Sequence, residues 1–122
     1  MRDVKKRITL KQLLENEPEE IEVEGFGTIL VREPTMQDRI EARAEAMKLP
    51  GWDKMDPLER ETEIVMRTIA RAIVEPKIEN FTDIPMKKWI AIYSAILDWM
   101  GKPEEAARKV EDFLPQKREE SP

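Results

Sequence analysis

The feature that most constrains the fold is an apolar stretch that runs from Pro85 to Met100 and is followed by Gly101. On a helical wheel at about 100° per residue, its large apolar side chains cover roughly half of the circumference, and Lys87, Ser94 and Asp98 line the rest. An arc this wide needs more than one neighbouring element to cover it. Its members are Met86, Trp89, Ile90, Ile92, Tyr93, Ile96, Leu97, Trp99 and Met100. We therefore predict that residues 85–100 form the central helix of a small core and that Gly101 ends it in the left-handed conformation.

Two runs near the N terminus predict a β-hairpin over about residues 21–33. Ile21 and Val23 alternate with glutamates, a turn containing glycine follows, and a β-branched run begins at Thr28. An isolated hairpin is only marginally stable in water. We therefore expect its apolar face to lie on the helices, or further strands to come from a partner subunit.

Capping residues predict where three further helices begin. They are Thr9 with Gln12 as the other half of a capping box, Thr35 with Asp38 in the first turn, and Asp56 followed by Pro57. The first helix is short and ends near residue 16. The second, over residues 36–48, is expected to reach the core through one face. That face comprises Met36, Ile40, Ala44 and Met47.

Apolar residues at helical intervals predict a helix over about residues 57–74, which we expect to pack antiparallel against the central helix. In the loop that follows, Ile78 and Phe81 are expected to fold back under the core. We predict that Pro103 opens a last short helix. Its apolar stripe comprises Ala106, Val110, Phe113 and Leu114.

The predicted architecture is one α+β domain, mainly α, over residues 9–114. It has four to five helices around the central helix in the C-terminal half of the chain, and one N-terminal β-hairpin. A length of 122 residues allows one domain with a real core and is short for two. Residues 1–8 are expected to form a flexible basic arm, and residues 115–122 a disordered tail.

The composition excludes several kinds of chemistry. The chain has no cysteine and no histidine, which rules out disulfides, thiolate nucleophiles, Cys/His zinc sites and an imidazole base. We therefore expect no enzymatic activity, no catalytic residue, no metal and no cofactor. Only a metal site built from carboxylates alone stays open as an enzyme class, and no spacing among the 26 acidic residues specifies one.

Charge and hydropathy bear on partners and location. The chain carries 21 basic and 26 acidic residues, a net charge of −5, which disfavours general nucleic-acid binding. Lys5, Lys6 and Arg7 could contact a nucleic acid, but a solvated arm explains them more simply. No apolar run approaches the length of a membrane span, so we expect a cytoplasmic protein that does not bind membranes.

The acidic stretch from Glu15 to Glu24 has two interpretations. Clustered carboxylates could attract a divalent cation or a basic partner segment. The simpler interpretation is that glutamates on the outward face protect a hairpin edge from aggregation.

Four apolar side chains are candidate contacts with a partner protein: Phe26, Trp52, Met55 and Trp99. Large aromatic residues favour interfaces. Trp52 lies in a stretch rich in turn residues and Trp99 at the rim of the central arc, so either could instead pack locally. Trp89 is expected to lie in the core.

Several stretches between residues 9 and 101 are together similar to the tail assembly chaperones of long-tailed bacteriophages and prophages. Leu13-Leu14-Glu15 precedes the acidic segment, and a strand ending in Arg32-Glu33 runs directly into the helix capped by Thr35. Ala72-Ile73-Val74-Glu75-Pro76 and the helix from Trp89 to Gly101 follow in the same order.

The resemblance implies a small cytosolic protein, mainly helical, that acts during virion assembly and has no catalytic residues. It would bind the tape-measure protein, keep the long apolar helices of that protein soluble, and help to recruit tail-tube subunits. The charged surface and the seven methionines fit such an adaptor. A homo-oligomer is also compatible with the sequence. The alternative function is a small accessory or regulatory protein associated with nucleic acid through the basic arm.

Overall fold

The computed structural model describes residues 6–101 as an α+β fold, mainly helical, with one antiparallel sheet. This confirms the predicted fold class. Two short 3-10 helices, Trp52–Lys54 and Phe81–Asp83, interrupt the loops. In chain order, the elements of the described part are α1 (Leu10–Leu14), β1 (Glu19–Val23), β2 (Gly27–Val31), α2 (Met36–Ala46), α3 (Pro57–Arg71), β3 (Ile73–Glu75) and α4 (Met86–Met100).

Local capping chemistry sets the starts of three helices, as predicted. Thr9, Thr35 and Asp56 each accept a hydrogen bond from the backbone N–H three residues later. In each case the side chain at that later position accepts a bond from the backbone of the cap, which completes a capping box. Pro57 occupies the first turn of α3.

The predicted hairpin is present, and a third strand extends it. β1 pairs antiparallel with β2, with Ile21 opposite Ile29, and β2 pairs antiparallel with β3, with Val31 opposite Ile73. The prediction that the 57–74 helix continues to residue 74 is wrong, because α3 ends at Arg71. Ile73 is β-branched and favours a strand once β2 offers it a pairing edge.

The main core lies between the inner face of the sheet and helices α3 and α4. The rings of Trp89 and Phe81 are tilted by 38° and their centroids lie 5.3 Å apart. The indole N–H of Trp89 points to the sulfur of Met66, and the nitrogen–sulfur distance is 3.2 Å. Ile78 and Phe81 pack back against this core, as predicted. Its buried members are Val23, Ile29, Val31, Ile69, Ala70, Ile73, Trp89 and Ile96.

Three expectations for α4 need correction. Its backbone lies along β1, while α3 packs most extensively on α2 and touches α4 mainly through side chains. Only Trp89 and Ile96 of the predicted apolar arc are buried. Gly101 has φ −77° and prolongs the helical conformation, so it is not in the left-handed region. The main core takes more of its buried side chains from the sheet, namely Val23, Ile29, Val31 and Ile73, than from α4, which contributes Trp89 and Ile96.

Several predicted segments lie outside the described residues: part of the basic arm, the helix beginning at Pro103, and the tail over residues 115–122. Among residues 6–101, no helix is both long and apolar enough to cross a lipid bilayer.

Candidate protein-interaction surface

Helix α2 turns its large apolar side chains outward. Met36, Ile40 and Met47 are 71%, 57% and 48% exposed, and Ala44 beside them is also exposed. The prediction that this face enters the core is therefore wrong. We call Met36, Ile40 and Met47 the α2 outer stripe, because they share one side of the helix.

The opposite side of α2, which packs on α3, carries small or charged residues. Asp38, Ala42 and Ala46 are buried at intervals of four residues, and the two alanines pack with Ile64 of α3. Trp52 packs against the edge of this second, smaller core. Hydrophobic periodicity did not predict this buried face, because alanine is only weakly hydrophobic and a buried aspartate is rare unless it is paired.

Asp38 is buried because cationic and polar donors surround its carboxylate. The guanidinium of Arg32 donates to both carboxylate oxygens, at 2.7 and 3.0 Å. The backbone N–H and the hydroxyl of Thr35 donate at 2.7 and 3.0 Å. The hydrogen bonds from Arg32, together with those from Thr35, hold the pKa of Asp38 well below its usual range, although burial acts in the opposite direction.

Arg32 connects three parts of the fold at this point. Its backbone N–H donates to the carbonyl of Ala72 at 2.9 Å, and its guanidinium donates to the carbonyl of Arg71 at 3.0 Å. The hydrogen bond to Asp38 raises the pKa of Arg32 above its usual value, so this cation stays charged. Arg32 therefore joins the end of β2 and the end of α3 to the first turn of α2.

A second group of ion pairs runs between α2 and α3. Arg71 contacts Glu41, lies 3.1 Å from Glu45, and approaches the buried Asp38 carboxylate at 3.5 Å. Arg39 pairs in a bidentate manner with Glu61, at 3.0 Å for both bonds. Exposed pairs such as Arg39–Glu61 contribute little stability. These ion pairs link α2 to α3.

The four contact residues predicted from the sequence lie in three separate places, because Trp52 and Met55 are close together. Phe26 is in the turn between β1 and β2 and is 52% exposed. Trp52 and Met55, in and just after the first 3-10 helix, are half-buried, and the guanidinium of Arg60 stacks 5.0 Å from the Trp52 ring. Trp99 is half-buried near the end of α4 and donates its indole N–H to Glu19 at 3.1 Å. The fold does not gather these four side chains into one patch.

The acidic stretch provides β1, which forms one edge of the sheet. Glu22 and Glu24 border an open cleft of about 540 Å³, whose other wall is the Ala91 and Ser94 side of α4. Among residues 6–101, no three acidic side chains are arranged to hold a metal ion. This placement is the one expected if the glutamates protect a sheet edge.

Comparisons of this chain with protein-family models, with curated proteins and with solved structures found no match. The resemblance to tail assembly chaperones therefore stays a prediction carried by the residues of the chain.

Proposed function

We propose that this protein is a non-enzymatic assembly chaperone or adaptor that binds an apolar helical segment of a partner protein. Following the resemblance to phage and prophage tail assembly chaperones, the proposed partner is a tape-measure protein in the host cytoplasm. Recruitment of tail-tube subunits to the same complex is part of the proposal. The observation that carries it is the α2 outer stripe, Met36, Ile40 and Met47.

Exposed apolar residues are ordinary when they are scattered, so the arrangement of these three matters. They follow one side of a single helix, which is the form of surface that receives a partner helix or an apolar segment. Two of the three are methionines, whose unbranched side chains adapt to irregular apolar partners. An adaptor for long, weakly specific apolar helices needs this kind of contact.

The attachment of α2 to the rest of the protein supports the same function. Its buried side is made of two alanines and the Asp38 carboxylate, which Arg32 and Arg71 hold from two directions. A helix held by small residues and ion pairs can expose its larger apolar side chains without losing its position. Phe26, which is also exposed, stays a proposed additional contact.

Co-expression with a tape-measure fragment tests the proposal. We expect the wild-type protein to co-purify with the fragment and to increase its soluble fraction. Ile40→Gln should reduce recovery of the fragment, and the combined Met36→Gln, Ile40→Gln and Met47→Gln variant should abolish it. All three side chains are exposed, so the circular dichroism and melting temperature of these variants should stay close to wild type.

Leu58→Gln is the matched control, because Leu58 is 75% exposed on α3 but does not belong to the α2 outer stripe. It should leave recovery unchanged. If the wild-type protein neither binds nor solubilises the fragment, the proposed function is wrong. If the fragment binds the wild type but Ile40→Gln and Leu58→Gln weaken binding equally, α2 is not the contact surface.

A further inference from the structure

The segment around α1 carries four large apolar side chains that the rest of the described structure does not cover. Ile8, Leu10, Leu13 and Leu14 are 68%, 69%, 67% and 71% exposed, and α1 has no buried residue. The three leucines stand at positions i, i+3 and i+4, so they share one face of the helix. We call residues 6–14 the α1 segment and the three leucines its apolar face. Contiguous exposed apolar surface of this kind typically marks a contact with another molecule.

The charges of the α1 segment are all positive. Lys6, Arg7 and Lys11 are exposed, and the segment contains no acidic residue. Within residues 6–101, none of these three cations forms an ion pair. A matching binding site is therefore apolar and has unpaired carboxylates at its border, because complementary charge directs association.

A surface with these properties lies beside the turn between β1 and β2. It contains a hollow of about 110 Å³ whose lining includes Val23, Phe26, Ile29, Lys88 and Ile92. The hollow adjoins the acidic cleft between β1 and α4, because consecutive residues at the end of β1 and within α4 line the two sites. Glu22, Glu24 and Asp98 border this cleft, are exposed, and form no ion pair in the described part of the chain. We call the hollow and the cleft together the hairpin–α4 surface.

We propose that the α1 segment of one copy of this chain docks on the hairpin–α4 surface of a second copy, which returns the same contact. The apolar face covers the hollow, and the basic side chains face the acidic cleft. Such a reciprocal contact closes into a dimer with twofold symmetry. This inference does not rest on the proposed function. It places Phe26 in the contact with the second copy and leaves the α2 outer stripe free.

The reach of the chain explains why the site belongs to a second copy. The side chain of Asn16 donates to and accepts from the backbone of Glu33, at 2.9 and 2.8 Å, and so fixes the base of the α1 segment just beyond the end of β2. The hollow lies beside Gly27, roughly 20 Å from Glu33 at about 3.3 Å per residue of extended chain. Leu13 is so close to Asn16 in the chain that the two can lie at most about 11 Å apart. The whole apolar face therefore cannot cover the hollow of its own copy.

The size of the contact suits a stable dimer. A side chain of leucine size that is about two thirds exposed carries on the order of 100 Å² of apolar surface. Two reciprocal contacts of four such side chains, counted on both partners, bury on the order of 1,600 Å², which is the size of a standard protein–protein interface. One contact alone buries only half of this area, so the reciprocal arrangement is the stable one.

Sedimentation equilibrium of the full-length protein tests the docking. We expect the wild type to dimerise at micromolar concentration, and Leu10→Gln with Leu13→Gln to raise the dissociation constant of the dimer at least about tenfold. Neither leucine is buried in its own copy, so the circular dichroism and melting temperature of the dilute variant should stay close to wild type. Leu58→Gln is the matched control, because Leu58 is 75% exposed on α3 and belongs to neither surface. It should leave the dissociation constant unchanged.

Charge reversal tests which surface receives the α1 segment. Lys11→Glu and Glu24→Lys should each weaken the dimer severalfold, because each places like charges in both contacts. An equimolar mixture of the two variants should dimerise nearly as tightly as wild type, because both contacts of the mixed dimer pair opposite charges.

Three results would overturn the proposal. The first is a protein that stays monomeric, whose α1 segment is then free or covered by its own chain. The second is a dimer that Leu10→Gln with Leu13→Gln weakens no more than Leu58→Gln does, because another face then forms it. The third is a mixture of the two charge variants that dimerises no better than either variant alone.

Discussion

Asp38→Asn tests the idea that α2 is held in place by one buried carboxylate. The substitution keeps the shape of the side chain and removes its charge. In the wild-type protein, the guanidinium of Arg32 donates to both carboxylate oxygens of Asp38, at 2.7 and 3.0 Å. In the variant, the asparagine amide group places a second donor against this guanidinium. The Asp38 side chain is 7% exposed and that of Arg32 is 29% exposed, so water can replace only part of the lost interaction.

We expect Asp38→Asn to lower the free energy of unfolding by about 2 to 3 kcal/mol. Hydrogen bonds to charged groups contribute about 1.5 to 3 kcal/mol each, and partial exposure of Arg32 reduces that figure. The loss corresponds to a melting temperature lower by roughly 10 °C for a chain of this size. Urea unfolding followed by the fluorescence of the three tryptophans at pH 7 measures it directly.

The pH dependence gives a second measurement of the same interaction. Because folding lowers the pKa of Asp38, its contribution is complete above the unfolded value of about 4 and is lost as the pH falls below that value. Wild-type stability should therefore decrease as the pH falls from about 5 to 3, and Asp38→Asn should remove part of that decrease.

Glu61→Gln is the control for this prediction, because it breaks the exposed, bidentate Arg39–Glu61 pair between the same two helices. It should change stability little at any pH. The reasoning is refuted if Asp38→Asn costs no more than Glu61→Gln at pH 7. It is also refuted if Asp38→Asn and the wild type lose stability equally on acidification.

Three further predictions concern the core and the helix ends. Trp89→Ala should destabilise the protein by about 3 to 5 kcal/mol in urea unfolding, because it empties a buried site beside Phe81 and Met66; a loss below 1 kcal/mol would contradict the assigned core. Ala42→Leu should cost about 1 to 3 kcal/mol by overpacking the fully buried contact between α2 and α3, while Ala44→Leu on the exposed side should be nearly neutral by thermal melting. Thr35→Ala should lower the free energy of unfolding by about 1 kcal/mol, because it removes a capping box. Thr9→Ala should leave the free energy of global unfolding unchanged, because α1 has no buried residue. Equal losses for the two variants would show that α1 belongs to the cooperative core.

The features that depend on neighbours in the sequence were predictable. Thr9, Thr35 and Asp56 cap the helices that follow them, because a capping box uses atoms only three residues apart. Gly25, in the turn between β1 and β2, and Gly27, the first residue of β2, both have positive φ, at 85° and 129°. These local preferences identified the hairpin, the starts of three helices and α4.

Only the tertiary structure decided which faces are buried. Ile73 joins the sheet because β2 lies beside it, and its β-branched side chain alone does not distinguish that strand from the end of a helix. In α2, the larger residues Met36 and Ile40 suggested the core face. Asp38 takes the inward position instead, because Arg32 and Arg71 meet there from distant parts of the chain. Burial of a charge is favourable only when its partners arrive with it, and their arrival is a property of the assembled fold.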